Sequence, residues 1–219
     1  MKLTTGLEGL DLALNLPSGE CLIYLGVDQG MIQTSFIQQL ALASAKRKMS
    51  VAYFSFQVRY AELLLNLLNL ESSLGKAGPK LNNVSPTELA SLSSAVQGLA
   101  HLKFFINDNT DITLEEIQQN CQNLQKQSSL NLIVIDQPLP LIYDHESQLL
   151  KKISKQFNVP VVVNFRVSEA TARLHEIPDV LMIQRESASN KCQLSILKNS
   201  YSSPQILEFG REWQRVFEL

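Results

Sequence analysis

Charged residues are scarce in this 219-residue sequence, and it has no long apolar run. Charged side chains make up 18% of the chain, against about 25% in typical soluble domains, while apolar residues reach 45%. This composition excludes disordered, collagen-like and coiled-coil chains and favours a globular protein. No segment approaches the roughly 18 apolar residues of a membrane span, and the first residues carry acids where a signal peptide needs an apolar stretch. We therefore expect a cytoplasmic protein.

Paired cysteines and excess positive charge are also lacking. The three cysteines, Cys21, Cys121 and Cys192, are an odd number without CxxC spacing, so the sequence supports neither a disulfide framework nor a zinc site. The 19 Lys and Arg residues against 21 Asp and Glu residues give a net charge of -2, which excludes the overall basic excess of a dedicated nucleic-acid coat protein. Any DNA contact has to be local.

Short β-branched runs alternate with amphipathic stretches along most of the chain. The candidate strands cover residues 21–27, 51–56, 102–106, 132–136 and 159–163, and the candidate helices cover residues 34–46, 60–70, 86–99, 114–126 and 145–157. Nearly continuous apolar character is typical of parallel strands that helices cover on both faces. The last candidate strands, residues 180–183, 192–198 and 205–209, leave no room for helices between them. We therefore expect an α/β fold whose mainly parallel sheet ends in antiparallel strands.

Two of these helices carry start signals, and no clear domain boundary follows from the sequence. Ser85 with Glu88 three residues later has the spacing of a capping box, and the same spacing recurs at Thr113. The stretch 71–83 is rich in Gly, Ser, Pro and Asn and indicates a connector within a domain. We expect residues 1–219 to form a single domain.

Four blocks of the sequence carry a family resemblance. They lie at residues 5–11 (TGLEGLD), 51–68 (VAYFSFQVRYAELLLNLL), 130–142 (LNLIVIDQPLPLI) and 157–161 (FNVPV). Together they resemble the C-terminal motor domain of DnaB-type replicative DNA helicases, which is a RecA-like ATPase with the P-loop NTPase fold. The resemblance runs from Thr4 to the end of the chain and implies that fold here. The family's N-terminal collar domain has no counterpart in the sequence, so we expect none.

The phosphate-binding loop implied by the resemblance, residues 27–34, departs from the family pattern. Ile32 stands where the family has glycine, and Gln33 where it has the lysine that contacts the β- and γ-phosphates, while Thr34 keeps the Mg²⁺-binding position. Isoleucine adds a branched side chain where phosphate must approach closely, and neutral glutamine cannot offset the charge of a triphosphate. We therefore expect a degenerate Walker A motif.

The charge around this loop also disfavours nucleotide. Asp28 lies inside the loop, and residues 3–45 contain no Lys or Arg. In the resemblance Asp136 is the Walker B aspartate, which reaches Mg²⁺ directly or through water. We expect no cofactor beyond weak MgATP bound through Thr34 and Asp136. The alternatives are an ordinary helix N-cap for Thr34 and an acid capping the following turn for Asp136.

Three further functional positions of the family have changed. Gln57 stands where the resemblance has the glutamate that activates water, and glutamine cannot accept a proton. Arg166 takes the place of the glutamine that senses the γ-phosphate. Of the Lys-x-Arg pair that acts on a neighbouring subunit, Lys198 remains but Ser200 replaces the arginine. We expect no catalytic residue and no bound metal. Lys198 and Arg166 are the candidate trans-acting basic groups, which would act on a neighbouring subunit.

One helical stretch is more apolar than a single buried face requires. Residues 60–70 (YAELLLNLLNL) place leucines on nearly all sides of the helix. Either this helix lies within the core or it carries a partner interface. For an interface the candidates are Tyr60, Leu64, Leu67 and Leu68.

The sequence favours a pseudo-helicase, that is, a DnaB-like domain that has lost ATP hydrolysis. It would act as a non-catalytic accessory or regulatory protein in DNA replication or recombination, by binding a replication or recombination protein such as a DnaB-type helicase. Two alternatives stay open. One is an active ATP-dependent DNA helicase with unorthodox residues. The other is a RecA-paralogue accessory protein on single-stranded DNA, which would need a basic groove that the sequence does not show.

Overall fold

Nine strands and six helices make up the part of the chain that the computed structural model describes. The described residues are 3–27, 35–72, 85–136, 144–166, 178–188, 191–212 and 215–217. The strands are β1 Cys21–Val27, β2 Val51–Ser55, β3 Phe104–Asn107, β4 Leu132–Asp136, β5 Pro160–Arg166, β6 Val180–Ala188, β7 Lys191–Asn199, β8 Gln205–Glu212 and β9 Arg215–Phe217. The helices are α1 Glu8–Leu14, α2 Ser35–Lys46, α3 Tyr60–Ser72, α4 Pro86–Ala100, α5 Leu114–Gln127 and α6 Asp144–Phe157.

All nine strands belong to one sheet, in the order β3-β2-β4-β5-β1-β6-β7-β8-β9. Every pairing from β3 to β6 is parallel, and the pairings from β6 to β9 are antiparallel. The parallel strands β2 and β4 are buried along their whole length because helices cover both faces of the sheet there. The expected α/β fold with an antiparallel end is therefore confirmed.

Helices on opposite faces of the sheet form two apolar cores. Helices α1, α2 and α3 pack on one face, where Leu10, Phe36 and Leu63 are among the buried side chains. Helices α5 and α6 pack on the other face through residues such as Ile117 and Ile153. Successive side chains of a β-strand point to opposite faces of the sheet, so each central strand contributes residues to both cores.

Both predicted capping boxes form. The Ser85 hydroxyl accepts a hydrogen bond from the Glu88 backbone N–H at 3.2 Å, and the Glu88 carboxylate accepts one from the Ser85 N–H at 2.7 Å. Thr113 makes the equivalent pair of bonds with Glu116 at the start of α5. Helix α1 and strand β9 were not expected from the sequence. The predicted connector, residues 71–83, lies mostly outside the described residues.

None of the helices in the described ranges has the length and apolar character needed to cross a membrane.

Candidate functional site

The candidate site lies at the carboxyl edge of three central strands. Asp136 ends β4, and the strand register places it beside Ser55 of β2 and Asn164 of β5. In open α/β sheets, ligands bind outside the carboxyl ends of the parallel strands. The fold therefore puts Asp136 at the edge where the resemblance expects a nucleotide.

The Asp136 carboxylate is hydrogen-bonded inside the protein on both of its oxygens. The Tyr53 hydroxyl donates to Oδ2 at 2.6 Å, and the Asn164 amide nitrogen donates to Oδ1 at 2.7 Å. Asp136 is only 1% exposed, and Tyr53 and Asn164 are fully buried. The side chain thus links β4 to both neighbouring strands.

Burial shifts the pKa values of both Asp136 and Tyr53. Desolvation raises the Asp136 pKa to about 6, although the hydrogen bonds from Tyr53 and Asn164 oppose the shift by favouring the ionised form. Desolvation and the nearby carboxylate raise the Tyr53 pKa well above its usual value. At neutral pH the carboxylate is therefore mostly ionised, and the phenol keeps its proton.

A buried amide from the helix α2 completes this group. Gln38 is fully buried. It lies close enough to the Tyr53 hydroxyl to lower the Tyr53 pKa, yet its amide makes no hydrogen bond of normal geometry to a described residue. Gln38, Tyr53, Asp136 and Asn164 are called the Asp136 cluster below. The ion pairs Lys46–Glu71 and Lys151–Asp179 lie away from this cluster, so neither supplies a cation to it.

These contacts bear on MgATP, the ligand that the resemblance implies. A Mg²⁺ ligand needs an oxygen that the ion or one of its water molecules can reach. Both Asp136 oxygens instead accept short hydrogen bonds out of contact with solvent. The described ranges also contain no group of three or more His, Cys, Asp or Glu side chains arranged to hold a metal ion. Burial and these two hydrogen bonds therefore restrict the access of a hydrated Mg²⁺ ion to the Asp136 carboxylate.

The other predicted site residues are spread over both edges of the sheet. Gln57 is exposed in the turn after β2, and Arg166 ends β5, so both backbones lie at the same carboxyl edge as Asp136. Lys198 is half-buried on β7 and pairs with Leu181 near the start of β6, at the opposite edge. The structure therefore separates Lys198 from Asp136 within one chain. Gln33 and Thr34 lie outside the described residues.

The assignment of Leu67 to a partner interface is wrong, because Leu67 is 2% exposed and lies on the face of α3 that packs into the core. Leu64 and Leu68 are half-buried, and Tyr60 is exposed. The sequence analysis missed Leu65, which is 50% exposed on the same helix.

Helix α4 packs against α3 and carries two further exposed apolar side chains, Leu89 and Val96. The contact with α4 explains why α3 needs more than one apolar face. The exposed residues Tyr60, Leu65, Leu89 and Val96 are called the α3–α4 surface below.

Sequence reasoning also missed Tyr53 and Asn164 as members of the site. A signal was present, since each is a polar residue inside an otherwise apolar run, VAYFS and PVVVNF. Polar side chains in a strand buried on both faces need hydrogen-bond partners inside the protein. The strand register that brings both to Asp136 was not readable from the sequence.

Comparison with known proteins agrees with the architecture. The sequence matches the family "DnaB-like helicase C terminal domain" over residues 2–189. The replicative DNA helicase DnaC of Bacillus subtilis is 25% identical over 77% of this chain and 40% of its own length. The replicative DNA helicase DnaB of Rickettsia bellii is 23% identical over 97% of this chain and 50% of its own length. The chain thus spans half or less of these curated relatives.

Solved structures give the same fold at low sequence identity. One solved ATPase domain superimposes with a TM-score of 0.89 at 14% identity, covering 100% of this chain and 92% of that one. A DnaB-like replicative helicase, described with its interactions with primase, gives a TM-score of 0.88 at 14% identity, covering 100% of this chain and 62% of that one. The expected RecA-like fold is confirmed, and because the family match covers most of the sequence, the chain belongs to the DnaB-like helicase C-terminal domain family.

Proposed function

We propose that this chain, as a single domain of residues 1–219, is a DnaB-like domain that has lost ATP hydrolysis and acts by binding another protein of DNA replication or recombination. The observation that carries this proposal is the state of Asp136. Its carboxylate is buried and accepts one hydrogen bond on each oxygen, from Tyr53 of β2 and Asn164 of β5, which supports a role of this acid within the sheet.

Two substitutions in the sequence support the loss of hydrolysis. Gln33 removes the lysine that stabilises the charge developing on the phosphates. Gln57 removes the base, although its exposed position after β2 is where a base would act on water. Because charge stabilisation and proton transfer are separate requirements, restoring one of them leaves the other unmet.

An ATPase assay tests this proposal directly. We expect no phosphate release above background for the wild-type chain, with or without single-stranded DNA, and none for Gln33→Lys. A DnaB-type helicase measured in the same buffer is the positive control. Hydrolysis at about 1 s⁻¹ or faster, within the usual range of enzymes, would overturn the proposal.

Thermal unfolding tests whether the weak MgATP binding through Thr34 and Asp136 that the resemblance leaves open occurs at all. Stabilisation by a ligand follows RT ln(1 + [L]/Kd), so about 1 mM MgATP raises the midpoint only if the dissociation constant is of that order or lower. We expect almost no change. A rise of several degrees that Asp136→Asn removes would identify Asp136 as a ligand and contradict its internal role.

A working ATPase with unorthodox residues is the second candidate function, and one observation favours it. Asp136 is mostly ionised at neutral pH, yet the described groups that contact its carboxylate, Tyr53 and Asn164, are neutral. A buried carboxylate is more stable beside a cation. The ATPase assay decides between the two functions.

The α3–α4 surface is the proposed contact for the partner protein. Its side chains Tyr60, Leu65, Leu89 and Val96 are each at least half exposed on two helices that pack together, and exposed apolar surface often marks a protein interaction site. One related structure is described with its interactions with primase, which supports a replication protein as partner. We propose a DnaB-type helicase from the same cell as the first partner to test.

Binding measurements with purified partner test this surface. We expect Leu65→Asp and Leu89→Asp each to weaken binding tenfold or more, because each places a charge in an apolar contact, at a cost of more than about 1.4 kcal/mol. Leu12→Asp is the matched control, since Leu12 is 74% exposed on a different helix, α1. Equal effects of all three substitutions would exclude the α3–α4 surface as the contact.

A further inference from the structure

The Asp136 cluster connects parts of the chain that are far apart in sequence. Tyr53 belongs to β2, Asp136 to β4 and Asn164 to β5, so the two hydrogen bonds to the carboxylate join three adjacent strands. Gln38 adds the helix α2 from above the same face of the sheet. A charge-assisted hydrogen bond in a buried site is stronger than a neutral one. These contacts therefore fasten the carboxyl edge of the sheet.

The geometry points to a specific role for the two donors. We propose that Tyr53 and Asn164 are positioning residues that latch the Asp136 carboxylate between β2 and β5, so that this acid holds the sheet together instead of binding a metal ion. The proposal rests on the proposed function, in which the chain no longer hydrolyses ATP. The latch goes beyond the proposed function because it names the residues that hydrogen-bond the Asp136 carboxylate and gives that carboxylate a structural role.

A double-mutant cycle without any nucleotide tests the latch. In the wild-type background, Tyr53→Phe removes a donor and leaves the buried carboxylate short of a hydrogen bond, so we expect the unfolding midpoint to fall by about 3–10 °C. In the Asp136→Leu background the Tyr53 hydroxyl has already lost its acceptor. There we expect Tyr53→Phe to leave the midpoint unchanged or raise it, because the unpaired hydroxyl is removed.

Tyr24→Phe is the matched control for this cycle. Tyr24 is also fully buried, but its hydroxyl donates to the Ser147 Oγ at 2.7 Å on the other side of the sheet. We expect its effect on the midpoint to be the same with and without Asp136→Leu. Equal effects of Tyr53→Phe in the two backgrounds would overturn the latch, because additivity means that the two groups do not act together.

A spectroscopic measurement keeps the test decisive if Asp136→Leu does not fold. In protein labelled with ¹³C at tyrosine Cζ, the Tyr53 signal is assigned by its loss in Tyr53→Phe. We expect the isosteric Asp136→Asn to shift this signal and to leave the Tyr24 signal in place, and millimolar MgCl₂ to shift neither. A Tyr53 signal that is indifferent to Asp136→Asn, or that moves with Mg²⁺, would overturn the latch.

Failure of the latch and failure of the proposed function give different results. Additive midpoints together with an absent ATPase would remove the latch and leave the loss of hydrolysis in place. ATP hydrolysis together with a coupled Tyr53–Asp136 pair would remove the proposed function and leave the latch as a structural feature.

Discussion

At the scale of single residues, the opening block TGLEGLD has a structural role. The Asp11 carboxylate accepts hydrogen bonds from the Thr4 hydroxyl at 2.5 Å and from the Thr5 backbone N–H and hydroxyl, both at 2.7 Å. Gly6 between them has φ +83°, and a Cβ there would lie 2.8 Å from the Ala43 Cβ on α2. This block, which carries part of the family resemblance, thus also shapes the turn that packs against α2.

Replacing Asp11 tests this role. We expect Asp11→Ala to lower the free energy of unfolding by about 2–3 kcal/mol, because several hydrogen bonds to one charged group are lost. Asp111→Ala is the control, since Asp111 is exposed and surface substitutions of this kind stay within about 0.5 kcal/mol. Urea unfolding at pH 7 measures both variants. Equal losses in the two variants would contradict a special role of Asp11.

The raised pKa of Asp136 predicts a dependence of stability on pH. The Asp136 carboxyl has a pKa of about 6 in the folded state, against an ordinary value of 3.8, so between these values the folded protein binds more protons than the unfolded protein. The free energy of unfolding therefore falls as the pH rises through this window, by up to about 3 kcal/mol from this group.

The variant Asp136→Asn isolates the contribution of Asp136 to the pH dependence. It cannot ionise, so we expect the free energy of unfolding of the wild-type protein to fall relative to that of the variant as the pH rises from about 4 to about 7. Urea unfolding of both proteins at several pH values measures this difference. Parallel pH profiles for the wild-type and variant proteins would show that Asp136 does not titrate with a raised pKa.

At the scale of secondary-structure elements, the sequence predicted what local chemistry determines. Both capping boxes formed, and the helices and parallel strands lie close to their expected bounds. Helix α1 and strand β9 were missed because they have only seven and three residues, too few for a periodic pattern. The packing of α4 on α3 was also not predicted, because it depends on tertiary contacts that no local sequence pattern encodes.

Two glycines show how the same substitution has opposite effects in different elements. Gly210 on β8 is directly opposite Phe217 on β9, and a Cβ there would lie 2.1 Å from the Phe217 ring. Gly98 lies on α4, where the nearest atom to a new Cβ would be a Glu71 carboxylate oxygen at 3.5 Å, an ordinary contact.

We expect Gly98→Ala to raise the free energy of unfolding by about 0.5–1 kcal/mol, because alanine favours the helix and restricts the unfolded chain. We expect Gly210→Ala to lower it by about 1–2 kcal/mol, because the Phe217 ring has to move off the strand. Denaturant unfolding gives both values. A Gly210→Ala protein as stable as the wild type would show that Phe217 does not need this glycine.

At the scale of the whole molecule, composition and alternation sufficed for the α/β class, and the family resemblance added the RecA-like topology. The candidate site was only partly predictable. Asp136 could be found because an acid at the end of an apolar strand stands out locally. Its partners Tyr53 and Asn164 are 83 and 28 positions away in sequence, so the hydrogen bonds follow from the strand order and not from spacing along the chain.

Assembly into a ring would depend on contacts between subunits. The family resemblance implies hydrolysis sites between subunits, where lysine and arginine side chains contact a bound nucleotide. This chain has Gln33 and Ser200 at two of those positions, and Lys198 lies on β7 at the edge of the sheet opposite Asp136. If nucleotide binding is lost as proposed, MgATP contributes little free energy to a closed ring. A net charge of -2 opposes association only weakly, so contacts through the α3–α4 surface still permit a dimer.

We expect light scattering at micromolar concentration to give a mass of 24.5 kDa or twice that value, unchanged by MgATP. If a dimer forms, Leu65→Asp separates it, because the charge would be buried between the two apolar surfaces. The Leu12→Asp variant, with its substitution on α1, is expected to keep the wild-type mass. A mass of six times 24.5 kDa in the absence of any partner would contradict the prediction and favour an active ring-forming helicase.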